Sequence, residues 1–511
     1  MSKTNLLALA CALVALVSLF ATLHAGHPVQ AHLVHSDALY LPVLFDDVLH
    51  RGGSLADWYL TPAPYFFPDF PLYLLAWLGA DGVFGQTTAF ALLQTLLMAA
   101  AIFFLAREAL EKSRVLAAAA LIILFVWLGL HVDDPFVRLY SSAHHYGAFI
   151  AAVLLAALWL RLDAGGLDGR HEHIVTVAIV ALVYLTTLSD ALFLVQAVAP
   201  LLAAALLHRP GGLSGTRPRH AALLLFLPAV LAMVSYRFVV AHPTRYKSRL
   251  GLSKLSANLD ELGTICATLL GQRPLLAAAL LLALLAGVAS IAACLFRKAP
   301  AFPTRPLRLL MTFATLSCAA TVAAMLLSTT VQPAPRYLIA ALSLPLVAGM
   351  FALAHQFGGH FRYAGASLAI MFASLLAADA WHTRHHRDAN AFYYPEQIAC
   401  IDRALASTNA RHGIAQYWDA KRVQALSRHP LILAQYHGEL APMPWITSER
   451  YFGTGYDFAI IAEQELPQYR LSRAQLTTIN GEPVQTVICG DRSVLLFAPG
   501  RLRTSPAAPA Y

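Results

Sequence analysis

Residues 35–73 read HSDALYLPVLFDDVLHRGGSLADWYLTPAPYFFPDFPLY. They follow an apolar run at 5–23 and set five aspartates among aromatic residues and prolines. The chain is 58% hydrophobic and 13% charged, with a mean hydropathy of +0.60, too apolar for an ordinary soluble protein. Carboxylates beside the first membrane-length helix of such a chain are costly unless they serve a purpose.

Apolar runs of about 18 residues or more, the length that crosses a hydrocarbon core, recur along most of the 511 residues. About eleven spans are predicted: 5–23, 86–106, 115–131, 144–161, 174–189, 191–207, 220–240, 274–296, 308–328, 337–354 and 363–381. The pair meeting at Ser189-Asp190 is short, and PLYLLAWLG at 71–79 reads as an interfacial helix. The first run reads as a span and not a cleaved signal, because many more spans follow it.

Short basic loops, REALEKSR, HRPGGLSGTRPRH, FRKAPAFPTRPLR and HFR, belong on the cytoplasmic side and account for the net charge of +8 without any nucleic acid. The N-terminus is then cytoplasmic. Loop 24–85, the loops near 132–143 and 241–273, the turn at 329–336 and everything after 381 lie outside. HPTRYKSRLGLSK, 242–254, is basic yet external; its Arg245, Lys247 and Arg249 suit an anionic ligand, although long loops also translocate regardless of charge.

The expected architecture is mainly α: a transmembrane domain, 1–381, then a small external α/β domain, 382–511. In the latter, YYPEQIACIDRALAST reads as an amphipathic helix, and GIAQYW, DFAIIA, VQTVIC and SVLLFA as strands. Trp418 and Trp445 read as core. The six cysteines form no CxxC pair, which argues against a zinc site. Cys11, Cys266, Cys294 and Cys318 lie in or near apolar runs as packing residues, whereas Cys400 and Cys489 are candidates for a disulfide in an oxidising compartment.

Polar residues collect on the external side: Asp37, Asp46, Asp47, Asp57 and Asp69, then His131, Asp133, Asp134, Arg138, His144 and His145, then Asp190, and finally Arg336 in QPAPRY. A carboxylate there can act as general base or hold a divalent cation, and arginines can bind phosphate in a bidentate fork. Together they suit group transfer from a lipid phosphate. His144 or His145 is a candidate metal or acid/base partner for Asp37, or simply a hydrogen-bonded histidine at a helix start. WHTRHHRD at 381–388 and HEH at 171–173 read as wet polar stretches.

The order of elements in residues 36–73 resembles the first external loop of GT-C glycosyltransferases that use polyprenyl-phosphate sugars, among them the protein O-mannosyltransferases and the lipid A aminoarabinose transferases. Ser36-Asp37 falls at that family's acidic pair. Tyr40, Gly52-Gly53, Thr61-Pro62, Tyr65-Phe66 and Pro71-Leu72-Tyr73 follow in register, and Arg336-Tyr337 resembles a late Arg-Tyr pair. Two departures stand out: the first acid is Ser36, and the lysine before Pro-Leu-Tyr is absent, with Asp69 nearby.

The resemblance implies sugar transfer from a lipid-linked donor to a glycan, lipid or protein acceptor at the periplasmic face of a bacterial inner membrane. Asp37 would be the catalytic carboxylate, with a divalent metal cation there if one is used. Tyr40, Arg336 and Tyr337 would contact substrate, assisted by Arg245, Lys247 and Arg249; Asp47, Asp69, His144 and His145 would support them. Asp37 and Asp47 are ten residues apart, about 15 Å along one helix, too far to grip one ion. Pro42 further implies that the helix starts near Leu41, leaving Asp37 in the loop before it. A lipid-glycan transporter or flippase, or a non-catalytic scaffold with a periplasmic binding domain, would fit the same composition.

Overall fold

The computed structural model describes residues 3–504 apart from 26, 112, 133, 209–216, 244–248, 297–301, 387–392, 454 and 467–468. Among the described residues ten helices are long and apolar enough to cross a membrane: Lys3–His24, Gly82–Ala109, Arg114–His131, Tyr146–Asp163, Gly169–Ser189, Ala222–Val239, Pro274–Leu295, Arg305–Leu327, Pro335–Gly358 and Tyr363–His385. Leu194–Leu207 is apolar but shorter, and opens with a π turn just after Asp190. Of the pair around Ser189-Asp190, expected to be two short helices, only the second is short; Gly169–Ser189 has 21 residues and full membrane length.

Lys3–His24 packs against Arg114–His131 and the late helices, and Gly82–Ala109 against Arg114–His131 and Tyr146–Asp163. Small residues permit the close crossings, as is usual between membrane helices. A Cβ on Gly287 would lie 1.8 Å from Thr315 Oγ1, and one on Gly349 3.0 Å from the Ala283 Cβ. Outward-facing leucines such as Leu275, 86% exposed, suit a surface that meets lipid and not water.

The loop that follows the first helix is folded. Helix Tyr40–His50 begins after Asp37, with Pro42 in its first turn, where a missing N–H removes no helical bond. Asp46 pairs with Arg51 at 2.6 Å and stays solvated. Asp47 is buried and accepts from the Trp58 indole at 2.9 Å. Gly53 lies so close that a Cβ there would stand 2.4 Å from Asp47 Oδ2. Strand Trp58–Leu60 pairs in parallel with His242–Pro243 and antiparallel with Thr447–Ser448. That ribbon joins the first loop, the start of the basic loop and the C-terminal region. Residues 69–79 form a short helix, Asp69–Gly79, beside Gly82–Ala109.

Segment 241–273, read as a loop, contains the 17-residue helix Leu255–Gly271. It is too short to span, and it docks through Asn258, whose amide donates to the Met325, Leu326 and Ser328 carbonyls at 3.2, 3.0 and 2.7 Å.

The C-terminal region carries a five-stranded sheet in the order Ile432–Gln435, His412–Ala415, Phe458–Ala462, Arg492–Leu496, Gln485–Cys489. The first three strands are parallel, and the other two pairings are antiparallel. Four of the strands match the sequence reading; Ile432–Gln435 is a fifth that it does not anticipate, since a short apolar run does not by itself tell a strand from a buried helix. Trp418 is 37% exposed and so is not core, and Trp445 is half-buried. Helix Glu396–Ala406 is clamped to the edge strand by a Cys400–Cys489 disulfide closing 89 residues of chain. Cys11, Cys266, Cys294 and Cys318 are free. Replacing both bridged cysteines by serine should lower the stability of the C-terminal domain by about 2–4 kcal/mol, read as an earlier unfolding transition in denaturant; an unchanged midpoint would show that the bridge contributes nothing.

Candidate active site where the first loop meets the C-terminal domain

Asp37 lies in the turn before helix Tyr40–His50 and is 19% exposed. Its Oδ1 accepts a hydrogen bond from the Tyr417 hydroxyl. Its Oδ2 has no hydrogen-bond partner among the described residues, the nearest nitrogen being His144 Nε2 at 3.8 Å. Ser36, fully buried, donates to the Tyr417 carbonyl at 2.7 Å. Tyr417 belongs to helix Tyr417–Leu426, which starts at the carboxyl end of strand His412–Ala415. The carboxyl ends of parallel strands are where α/β sheets place their sites.

His35, Asp37 and His144 each offer a ligand atom within 4.8 Å of one another, which fits a metal in number and type. A cation already stands there. Arg138 Nη1 lies 2.8 Å from His35 Nε2 and 3.0 Å from His144 Nε2, and its guanidinium forks onto Asp134. His144 Nδ1 lies 2.6 Å from the Ser142 carbonyl, which assigns the proton to Nδ1 and leaves the Nε2 lone pair to Arg138. Burial, reinforced by Arg138, holds His144 well below the usual histidine range, and burial brings His35 down to about 4. With that guanidinium against both imidazoles, a divalent cation does not fit the cluster.

The second histidine serves a different partner. His145 takes the left-handed conformation, φ 65, and its Nδ1 lies 2.6 Å from Asp190 Oδ2. Its Nε2 lies 3.4 Å from the hydroxyl of Tyr65, another non-glycine residue at positive φ. Such conformations are strained for side-chain-bearing residues, and the surroundings hold them. The Tyr65 amide donates to the Ser189 carbonyl at 3.2 Å, so the turn after helix Gly169–Ser189 anchors the first loop.

Tyr337 sets its ring, tilted, with its centre 5.3 Å from that of His145, and Gln196 donates to its carbonyl at 2.8 Å. Arg336 lies over the Tyr337 ring at 5.2 Å, within electrostatic reach of Asp37 and Tyr65. Asp37 and Arg336, about 300 positions apart in a chain whose fold alone could bring them together, thus share one neighbourhood.

Other expected residues lie elsewhere. Tyr40 is fully buried between Trp58 and Phe70, with its hydroxyl on the Pro64 carbonyl at 3.2 Å. Asp47 holds Trp58, away from Asp37. Arg249 is exposed, and its backbone is tied to Thr329 and Thr330. Arg245 and Lys247 lie outside the described residues. Asp69 is buried beside the His145–Asp190 pair, accepting from the Ala143 amide at 3.1 Å. Two important residues, Tyr417 and Lys421, carried no signal in the sequence. His35 carried a weak one, its position two residues before Asp37.

No protein-family model matches the chain, and no curated protein matches it in sequence. Its fold is nevertheless that of the GT-C glycosyltransferases. It is similar to the crystal structure of ArnT from Cupriavidus metallidurans bound to undecaprenyl phosphate, with a TM-score of 0.54 at 16% identity, covering 97% of this chain and 98% of that one. The apo structure of the same ArnT gives 0.54 at 15% identity, covering 95% and 97%. The mycobacterial arabinofuranosyltransferase AftD gives 0.47 at 14% identity, covering 98% of this chain and 40% of that one.

Burial raises the Asp69 carboxyl to about 7. The fold therefore favours its neutral form, a contribution complete below the unfolded value of about 3.9 and lost as pH rises to about 7. Asp69→Asn should gain thermal stability relative to the wild type between pH 4.5 and 8, by several degrees in a scanning-fluorimetry midpoint. Parallel pH profiles for the two proteins would show that Asp69 is ionised throughout.

Proposed function

We propose that this chain is a membrane glycosyltransferase that moves a sugar from a polyprenyl-phosphate donor to an acceptor on the external face. The observation that carries the reading is the Asp37 carboxylate, with one oxygen held by Tyr417 and the other open, beside Arg336 in a chain with the ArnT fold. In this scheme Asp37 Oδ2 takes the proton of the acceptor hydroxyl as its oxygen bonds to the anomeric carbon. The bond from that carbon to the phosphate oxygen breaks, and the polyprenyl phosphate leaves with the electron pair, its charge met by Arg336. Tyr337 and His145 form the wall behind Arg336.

The basic loop begins at the strand His242–Pro243, paired to the first loop, which supports a donor-phosphate role for Arg245, Lys247 and Arg249. ArnT, crystallised with undecaprenyl phosphate, supplies the lipid class by likeness. Ten membrane-length helices make the chain a multi-pass membrane protein. The basic loops support a bacterial inner-membrane setting with a cytoplasmic N-terminus and a periplasmic C-terminal domain, divided near residue 381. Asp37 is not neutralised by any lysine or arginine within ion-pair distance among the described residues, which favours a reacting group over a scaffold salt bridge.

In detergent or nanodiscs, with a panel of polyprenyl-phosphate sugars, Asp37→Asn should lower kcat by about 10²–10⁴-fold. Arg336→Ala should raise the donor KM by about tenfold, the loss of one charge-assisted contact. A folded Asp37→Asn protein with full activity would defeat the assignment.

The chemistry runs without a divalent cation in this reading. Elemental analysis of the purified wild type should find no stoichiometric zinc, manganese or magnesium, while Arg138→Ala should acquire zinc affinity. Stoichiometric metal in the wild type would refute it.

A further inference from the structure

We propose that the C-terminal domain supplies a positioning residue for the Asp37 carboxylate: Tyr417, kept in register by Ser36. The inference deepens the reading of Asp37 as the base. It rests on a reciprocal grip in which two successive residues of the first loop hold one residue 381 and 380 positions away. Ser36 Oγ donates to the Tyr417 carbonyl at 2.7 Å, and the Tyr417 hydroxyl donates to Asp37 Oδ1. The carbonyl only accepts, so position 36 must donate. An ionised acid there would set acceptor against acceptor. This gives Ser36, the departure from the family's acidic pair, a physical cause.

The phenol is fixed from its own side as well. The Asp419 and Ala420 amides donate to the Gln416 carbonyl at 3.1 and 3.0 Å and start the helix at Tyr417. One turn on, Lys421 is only 3% exposed, and its Nζ lies 4.3 Å from the centre of the Tyr417 ring. It donates to Gln435 Oε1 at 2.5 Å, and Gln435 Nε2 donates in turn to the Met443 and Trp445 carbonyls at 3.1 and 2.8 Å. Lysines are almost never this buried unless paired. If Tyr417 were only filling space, phenylalanine would serve without a buried polar network behind it. Instead the Lys421 amine, which burial lowers to about 7, backs the ring, the ring hydroxyl faces the carboxylate, and Asp37 is the acid whose charge acts on Lys421. The phenol thus fixes which Asp37 oxygen stays open to the acceptor.

The test uses the full-length protein in nanodiscs. Carboxyls are labelled at pH 7 with a water-soluble carbodiimide and glycine ethyl ester, and quantified by peptide mass spectrometry. Asp46, solvated in the same loop, is the internal control. Tyr417→Phe should raise Asp37 labelling by about tenfold, the loss of one hydrogen bond to a charged group. Asp46 labelling and the thermal midpoint should hold. Ser36→Ala, which keeps the phenol but loosens it, should raise Asp37 labelling by a smaller factor, about threefold. Asp37 labelling that stays at the wild-type level in Tyr417→Phe would overturn the proposal. If that variant does not fold, wild-type labelling in Ser36→Ala does so. In transfer assays Tyr417→Phe should lower kcat and leave the donor KM unchanged. A wild type that transfers no sugar would sink the proposed function, while the labelling still decides the role of Tyr417.

Discussion

Asp37, 19% exposed at the end of a helical bundle, is held in place without an ion pair to lysine or arginine among the described residues, and its surroundings follow from that constraint. A strong ion pair would occupy the carboxylate. The chain uses a neutral donor on one oxygen instead. Arg138, the cation of the histidine cluster, is committed elsewhere, forked on Asp134 and set against His35 and His144. The imidazoles beside Asp37 are neutral because burial and that guanidinium make protonation expensive. The same arrangement that preserves the anion also excludes a metal from the histidines.

Holding these groups in place takes a folded loop and not a flexible one. Asp47 spends its charge on the Trp58 indole, and Trp58 leads a strand stitched to two other parts of the chain. Ala143 and His145 adopt left-handed backbone on either side of His144, so neighbouring histidines part company, one toward Asp37 and one toward Asp190. Gly147 completes the junction: a Cβ there would stand 2.6 Å from Pro68 Cδ and 2.7 Å from Asp69 Oδ2. Asp46, Asp47 and Asp69 of the first loop thereby have partners of their own, in Arg51, Trp58 and the Ala143 amide, while Asp37 keeps Oδ2 without a hydrogen bond among the described residues.

Much of this was legible in the sequence. Span lengths follow from apolar runs, and the ten helices plus one short apolar segment fall where those runs lie. Pro42 and the ten-residue separation set Asp37 apart from Asp47 in the sequence alone, and the helix does start after Asp37. The strand at 432–435 was not legible, because an apolar run this short does not by itself tell a strand from a buried helix. The buried role of Tyr40 was hidden too: a motif position states a residue's type and not the direction of its side chain. The Tyr417 hydroxyl, Lys421 and Gln435 leave no mark that a linear reading can weigh, since their meaning comes from a sheet edge brought against a loop near the other end of the chain.

The grip between Ser36, Asp37 and Tyr417 carries a consequence for how the protein comes into being. A ribosome makes the carboxylate among the first forty residues and the phenol only after residue 416, once the membrane helices have been made. Throughout synthesis the nascent chain therefore carries Asp37 without its partner. A chain cut short before residue 416 would reach the membrane with its long apolar helices in place and the Asp37 carboxylate without its phenol. Synthesis of the C-terminal region, rather than insertion of the bundle, is the event that completes this grip.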